Sequence, residues 1–141
     1  MLWIVANIHR IMIVSGVLTM TMVYAAIAPD AALSSTFGES LEGPVADVVV
    51  RNWAALIALM GAMLIYGARN PAVRSFSLIV AGASKAIFGA LVLSHGGRFL
   101  GYQAGIAVAV DLVWVAVFAW YLVAVRRMGS GKPNVSATVS V

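Results

Sequence analysis

Read for hydropathy alone, the chain alternates between long apolar runs and short polar breaks. Four runs are long enough to cross a bilayer, which takes about 17–25 residues of helix. The first is centred on "IMIVSGVLTMTMVYAAIA", residues 11–28, and Pro29 ends it. The second holds "WAALIALMGAMLIYGA", residues 53–68, extends back through "VADVVVRN", and stops before Pro71, which disfavours helix at the residue preceding it. The third runs from about Phe76 to Ser94 and ends at "HGG"; the fourth is "GIAVAVDLVWVAVFAWYLVAV", residues 105–125, closed by Arg126 and Arg127. The predicted spans cover about residues 4–28, 46–68, 75–94 and 104–126. Together they make one transmembrane domain, residues 1–128, followed by a polar Ser/Gly-rich tail, 129–141, expected to be disordered and cytoplasmic. The "GSGK" of that tail has no strand before it and no helix after it, so it is not a phosphate-binding loop.

Composition agrees with the pattern. Of 141 residues, 62% are hydrophobic and 10% charged, and the mean hydropathy is +1.00. A soluble domain is nearer 45–50% apolar and 25% charged. The fold class that follows is all-α: an integral membrane four-helix bundle, up-down-up-down because the loops between spans two and three and between three and four are short. Cysteine is absent, which excludes disulfides, thiolate metal sites and thiol redox chemistry. No metal-ligand spacing occurs, and no cofactor is implied.

Charge orients the spans. With four crossings, one side holds Arg10, Arg69, Arg74, Arg126, Arg127 and Lys132, and the other Arg51 and Arg98. The positive-inside bias makes both termini cytoplasmic. Asp30, Glu39, Glu42 and Asp47 fall in or beside the first external loop. The net charge of +4 is thus a topology signal, with no nucleic-acid partner implied. A secretory signal over residues 1–28 with "AIA" as cleavage site is the rival reading; Pro29 directly after that site argues against it.

One letter breaks the third run. In "LIVAGASKAIFGALVL", residues 78–93, Lys85 sits at mid-helix, where it costs roughly 2.5–3.5 kcal/mol, against roughly 0.3–0.6 returned by each Leu, Ile, Val or Phe. The span needs a partner. Lys85 lies about 13 Å below the outer end at Ser94, and Asp111 in span four about 9–12 Å below its own outer end, at 1.5 Å per residue. A Lys85–Asp111 ion pair is therefore expected. Arg51 is expected at a similar, slightly shallower depth, with Asp47 four residues earlier as a same-helix partner. The outer half of the bundle would then gather Asp47, Arg51, Asn52, Lys85 and Asp111. Trp114, Phe118 and Tyr121 continue the Asp111 face at helical spacing, as an aromatic-lined pocket for an amphipathic ligand would; core packing explains the same stripe. His9 and Arg10 read as interfacial residues on the opposite side, and His95 as an outer-end residue. Small residues at Ala54, Ala58 and Ala62, at Gly82, Ala86 and Ala90, and at Gly101, Gly105 and Ala109 form stripes for close helix contact, within one chain or in a homo-oligomer.

Residues 48–93, "VVVRNWAALIALMGAMLIYGARNPAVRSFSLIVAGASKAIFGALVL", with "NIHR" near the start and Pro29 after span one, resemble the uncharacterised small four-helix bacterial inner-membrane proteins that are loosely DoxX-like. The resemblance covers most of the chain apart from the tail. It implies a bacterial inner-membrane location and a four-helix bundle, and it supplies no catalytic residues. The small multidrug transporters match poorly, since their key glutamate in span one has no counterpart here.

Three functions are open to such a chain. The first is a non-catalytic multi-pass protein for assembly, for lipid or small hydrophobic ligand binding, or as an accessory to a larger membrane partner. The second is a membrane-embedded enzyme doing acid/base chemistry on a hydrophobic small molecule, with Asp111 as acid/base and Lys85 or Arg51 stabilising negative charge. The third is a dimeric proton-coupled transporter with Asp111 as its proton site. The absence of a specific catalytic motif favours the first.

Overall fold

The computed structural model describes residues 2–129; the predicted tail lies outside the described residues except for Gly129. The elements are all helical: α1 (Leu2–Met20), a single 3-10 turn (Thr21–Val23), α2 (Tyr24–Ile27), α3 (Pro29–Phe37), α4 (Pro44–Arg69), α5 (Pro71–Ser94) and α6 (Gln103–Gly129). Four stretches are long and apolar enough to cross a membrane: Trp3–Ile27, Pro44–Arg69, Pro71–Ser94 and Gln103–Met128.

Local chemistry sets the helix ends. Pro29, Pro44 and Pro71 each occupy the first turn of a helix, where a missing N–H costs nothing and the fixed φ is already helical. At the α4–α5 turn, the Asn70 side chain accepts from the Ala72 amide at 3.1 Å. Arg74 reaches back and donates to the Ala68 carbonyl at 3.0 Å, satisfying a carbonyl that the end of α4 leaves without a helical partner.

The segment after Pro29 differs from the sequence expectation. It reads as the start of an external loop, yet Pro29–Phe37 is a helix. Ala28 breaks the chain direction at φ −128°, Pro29 restarts it, and Asp30 lies in the first turn, where a negative charge suits the helix dipole. Gly38 ends the helix in the left-handed region at φ 75°, which glycine adopts without a Cβ penalty. A side chain at Gly38 would also collide with the Tyr102 ring. Buried Ala32, Leu33 and Thr36 turn this helix onto the bundle.

The helices pack in sequence order, with α1 also touching α6. The contact register is concrete. On α1 and α4, Met12 approaches Gly67 and Gly16 approaches Gly61, while Ala25 of α2 packs with Ala54. On α5 and α6, Gly82 faces Phe118, Gly89 faces Val108, and Val92 packs with Ala104. The main core is Ile8, Met12, Leu64, Ala68, Leu78, Ala81, Phe118 and Tyr121. This register gathers Arg69, Arg74, Arg126 and Arg127 at the core-rich end, called the inner end below. Asp30, Glu39, Glu42 and Asp47 lie toward the other, outer end.

The small-residue stripes are only partly at helix contacts. Ala54 is buried, but Ala86, Ala90, Gly101 and Ala109 are exposed. The closest approach of two helix backbones at a glycine uses Gly16 and Gly61, which belong to none of those stripes. A Cβ on Gly61 would stand 2.5 Å from the Gly16 carbonyl oxygen, and one on Gly16 would stand 2.7 Å from that of Gly61. Spacing of small residues finds a stripe; it does not say which of several stripes a neighbouring helix occupies.

Candidate functional site

Lys85 and Asp111 come together between α5 and α6. Lys85 Nζ donates to Asp111 Oδ1 at 2.5 Å and to Thr19 Oγ1 of α1 at 3.2 Å. The two charged side chains keep 10% and 17% of their exposure, so the contact is shielded from the surroundings. Three helices therefore meet on one ammonium. The sequence reading missed Thr19. Its signal was depth: position 19 lies far enough along span one to reach the level of Lys85. Nothing in its chemistry separates it from other hydroxyls in span one.

Ser15 lies one turn before Thr19. Its Oγ is buried and has no hydrogen-bond partner.

Arg51 does not join this group. Its Nε donates to both Asp47 oxygens at 2.9 Å, and its Nη1 donates to the Ala26 carbonyl at 2.5 Å. The side chains of Arg51 and Asp47 keep 45% and 48% of their exposure, and Asn52 is exposed. On the first span, Ala26 is seven residues beyond Thr19, about 10 Å at 1.5 Å per residue. The expected outer polar cluster thus resolves into two levels. Lys85, Asp111 and Thr19 form a shielded level; Arg51 and Asp47 form a second, exposed one nearer the outer end. The unwound carbonyl region near Ala28 supplies the reason, since it offers Arg51 an acceptor at its own depth.

The aromatic stripe below Asp111 is core. Phe118 and Tyr121 are buried in the main cluster with Trp114 packed against it, and the Trp114 and Phe118 rings stack at 6.3 Å. These side chains fill space that the pocket reading left for a ligand.

Two open spaces lie at the outer end, on either side of α3. One cleft of about 440 Å³ is lined by polar residues including Asp30, Ser40, Glu42 and Asp47. The second, about 310 Å³, lies between α3, α4 and α5, with Phe37, Trp53, Phe88, Val92, His95 and Phe99 among its walls. Phe37 meets Phe99 edge-on at 5.5 Å and Trp53 at 6.3 Å. Neither Lys85 nor Asp111 lines either space. This groove could not be read from hydropathy, because one wall is the helix that the sequence hid in a loop. Arg98 lies over the Phe99 ring and pairs with Glu39. Among the described residues, no group of three or more His, Asp or Glu side chains could hold a metal ion.

No family model matches this chain, and no curated protein or solved structure matches it either.

Proposed function

We propose that the chain is a small multi-pass protein of a bacterial inner membrane that binds a hydrophobic small molecule and does no chemistry on it. Its four spans run up-down-up-down with both termini cytoplasmic. The contact register along α1–α4 and α5–α6 supports that topology, and the clustering of arginines at the inner end supports the orientation. Membrane insertion is supported by how little the apolar stretches bury: their most apolar windows are only 17–28% buried within the chain, leaving wide apolar surface that needs an apolar solvent. The bacterial inner-membrane assignment rests on the resemblance of residues 48–93 to the loosely DoxX-like proteins.

The observation that carries the binding role is the outer groove: a preformed apolar space walled by aromatic rings, of the size and lining that small-molecule sites have. The catalytic alternative loses its support on the same geometry. The Lys85 ammonium is held by Asp111 and Thr19, and the pair lines neither open space. Its role is an intramembrane lock between three helices. Native mass spectrometry of the protein released from detergent tests the binding role. The expected result is a small-molecule adduct on the parent that is lost in Val49→Trp, a variant that fills the groove while circular dichroism shows the helices intact. A parent with no adduct, or an adduct that survives Val49→Trp, would overturn it.

A further inference from the structure

We propose that the inner end of the bundle is a binding surface for acidic phospholipid headgroups, built from one arginine on each of the four long helices. This surface is separate from the outer groove.

The contact register puts the four arginines on one level. Met12 of α1 approaches Gly67 of α4, and two residues further inward on each helix stand Arg10 and Arg69. Gly67 also lies against Ser77 of α5. Three residues inward from Ser77 is Arg74, whose Nη2 donates to the Ala68 carbonyl at 3.0 Å. Gly82 of α5 faces Phe118 of α6, and eight residues inward on each helix stand Arg74 and Arg126. Arg127 follows directly. The positive-inside bias asks only that cations gather on one side; it does not ask every helix to supply one at the same height.

No carboxylate side chain answers this charge. The five acids of the chain are Asp30, Glu39, Glu42, Asp47 and Asp111. The first four lie toward the outer end, and Asp111 holds Lys85. Arg10, Arg69 and Arg127 are exposed, and among the described residues none of the three is in an ion pair. The inner end therefore needs its counter-charge from outside the chain.

The neighbouring side chains say what carries that charge. Tyr66 stands three residues outward from Arg69, and Phe76 two residues outward from Arg74; both rings are exposed. Aromatic rings with cations just beyond them mark a membrane–water interface. A soluble polyanion would reach the arginines alone. A lipid reaches the arginines with its phosphate while its chains lie along the two rings. A guanidinium suits that phosphate, because its planar fork bonds two oxygens at once. A zwitterionic headgroup brings its own ammonium and gains less than an acidic one.

Electron spin resonance of the full chain in phosphatidylcholine bilayers tests this, with spin-labelled phosphatidylglycerol and phosphatidylcholine of identical chains as probes. The expected result is that the protein holds the acidic probe about fivefold more strongly at low salt, the effect of one cation near an anionic headgroup. The preference should fall toward parity at about 1 M salt, where charges are screened within about 3 Å. The combined variant Arg10→Gln, Arg69→Gln, Arg127→Gln should lose most of it. The same three positions changed to Lys should keep most of it, and Arg98→Gln at the outer end should keep all of it. Equal retention of the two probes by the parent would overturn the proposal, as would a preference untouched by salt. So would an equal preference in the parent and the Gln variant, or a loss from Arg98→Gln alone. Soluble polyphosphate binding by a parent that shows no lipid preference would replace the lipid with a soluble polyanion. If circular dichroism shows the Gln variant unfolded, the salt series on the parent and the Lys variant decides the outcome.

Discussion

The two ends of this bundle are built on different rules. At the inner end, helices touch through glycine and small polar side chains: Gly67 lies so close to Ser77 that a Cβ would stand 2.5 Å from Ser77 Oγ, and the main core of Met12, Leu64, Leu78 and Phe118 fills the space between. At the outer end, two small clusters, Ala25–Ala32–Ala54 and Val92–Ala104–Val108, flank open space, and a short helix wedges in from the side. Lys85, Asp111 and Thr19 mark the boundary. The inner half is packed for stability, and the outer half leaves room. One bundle thus combines a close-packed end with an end that leaves open space.

The sharpest way to break that contrast is at its boundary. Lys85→Met or Asp111→Leu alone strands a shielded charge and should cost about 3–5 kcal/mol. The double variant should recover to about parental stability, read from unfolding in mixed detergent micelles. Two single variants that cost no more than a surface change would mean that the lock is not the boundary element. Next comes glycine contact. Gly61→Val forces α1 and α4 apart and should cost about 1–3 kcal/mol. Gly97→Ala in the outer loop, with nothing within 4 Å of its Cβ position, should stay within about 0.5 kcal/mol. Thermal melts of the two variants compare the halves directly, and equal losses would dissolve the distinction. Ser15→Ala should raise stability by about 1 kcal/mol, because it removes a buried hydroxyl that lacks a partner. A fall in the melting temperature would show that the hydroxyl holds a water or another group. The smallest effect belongs to the outer surface: Arg98→Gln breaks an exposed pair with Glu39 and should shift stability by less than about 1 kcal/mol, vanishing in high salt.

The contrast also explains what could be read in advance. The four long helices were legible because hydropathy, proline and glycine report on each segment alone. Lys85 and Asp111 could be matched because depth in a bilayer is a one-dimensional quantity fixed by helix rise. What failed needs a second dimension. Helix α3 was hidden because nine residues with mixed polarity carry no span signal, although Pro29, Asp30 and Gly38 marked its ends. Arg51 was grouped with Lys85 because depth was taken as approximate, whereas the Ala26 carbonyl holds it about two turns away. Trp114, Phe118 and Tyr121 were a helical stripe on any reading; only packing could say that they face the core. The outer groove combines three elements, so no stretch of sequence contained it.

The prolines that open α3, α4 and α5 have one more consequence. A helix whose first turn is fixed by Pro71 has a zero mark, and Lys85 stands fourteen residues along that ruler, about 21 Å at 1.5 Å per residue. The charge therefore cannot slip by a turn while the chain is being made. Its height is written into one segment while Thr19 has already been made and Asp111 has not, so during synthesis the Lys85–Asp111 contact is assembled by measurement first and recognition second.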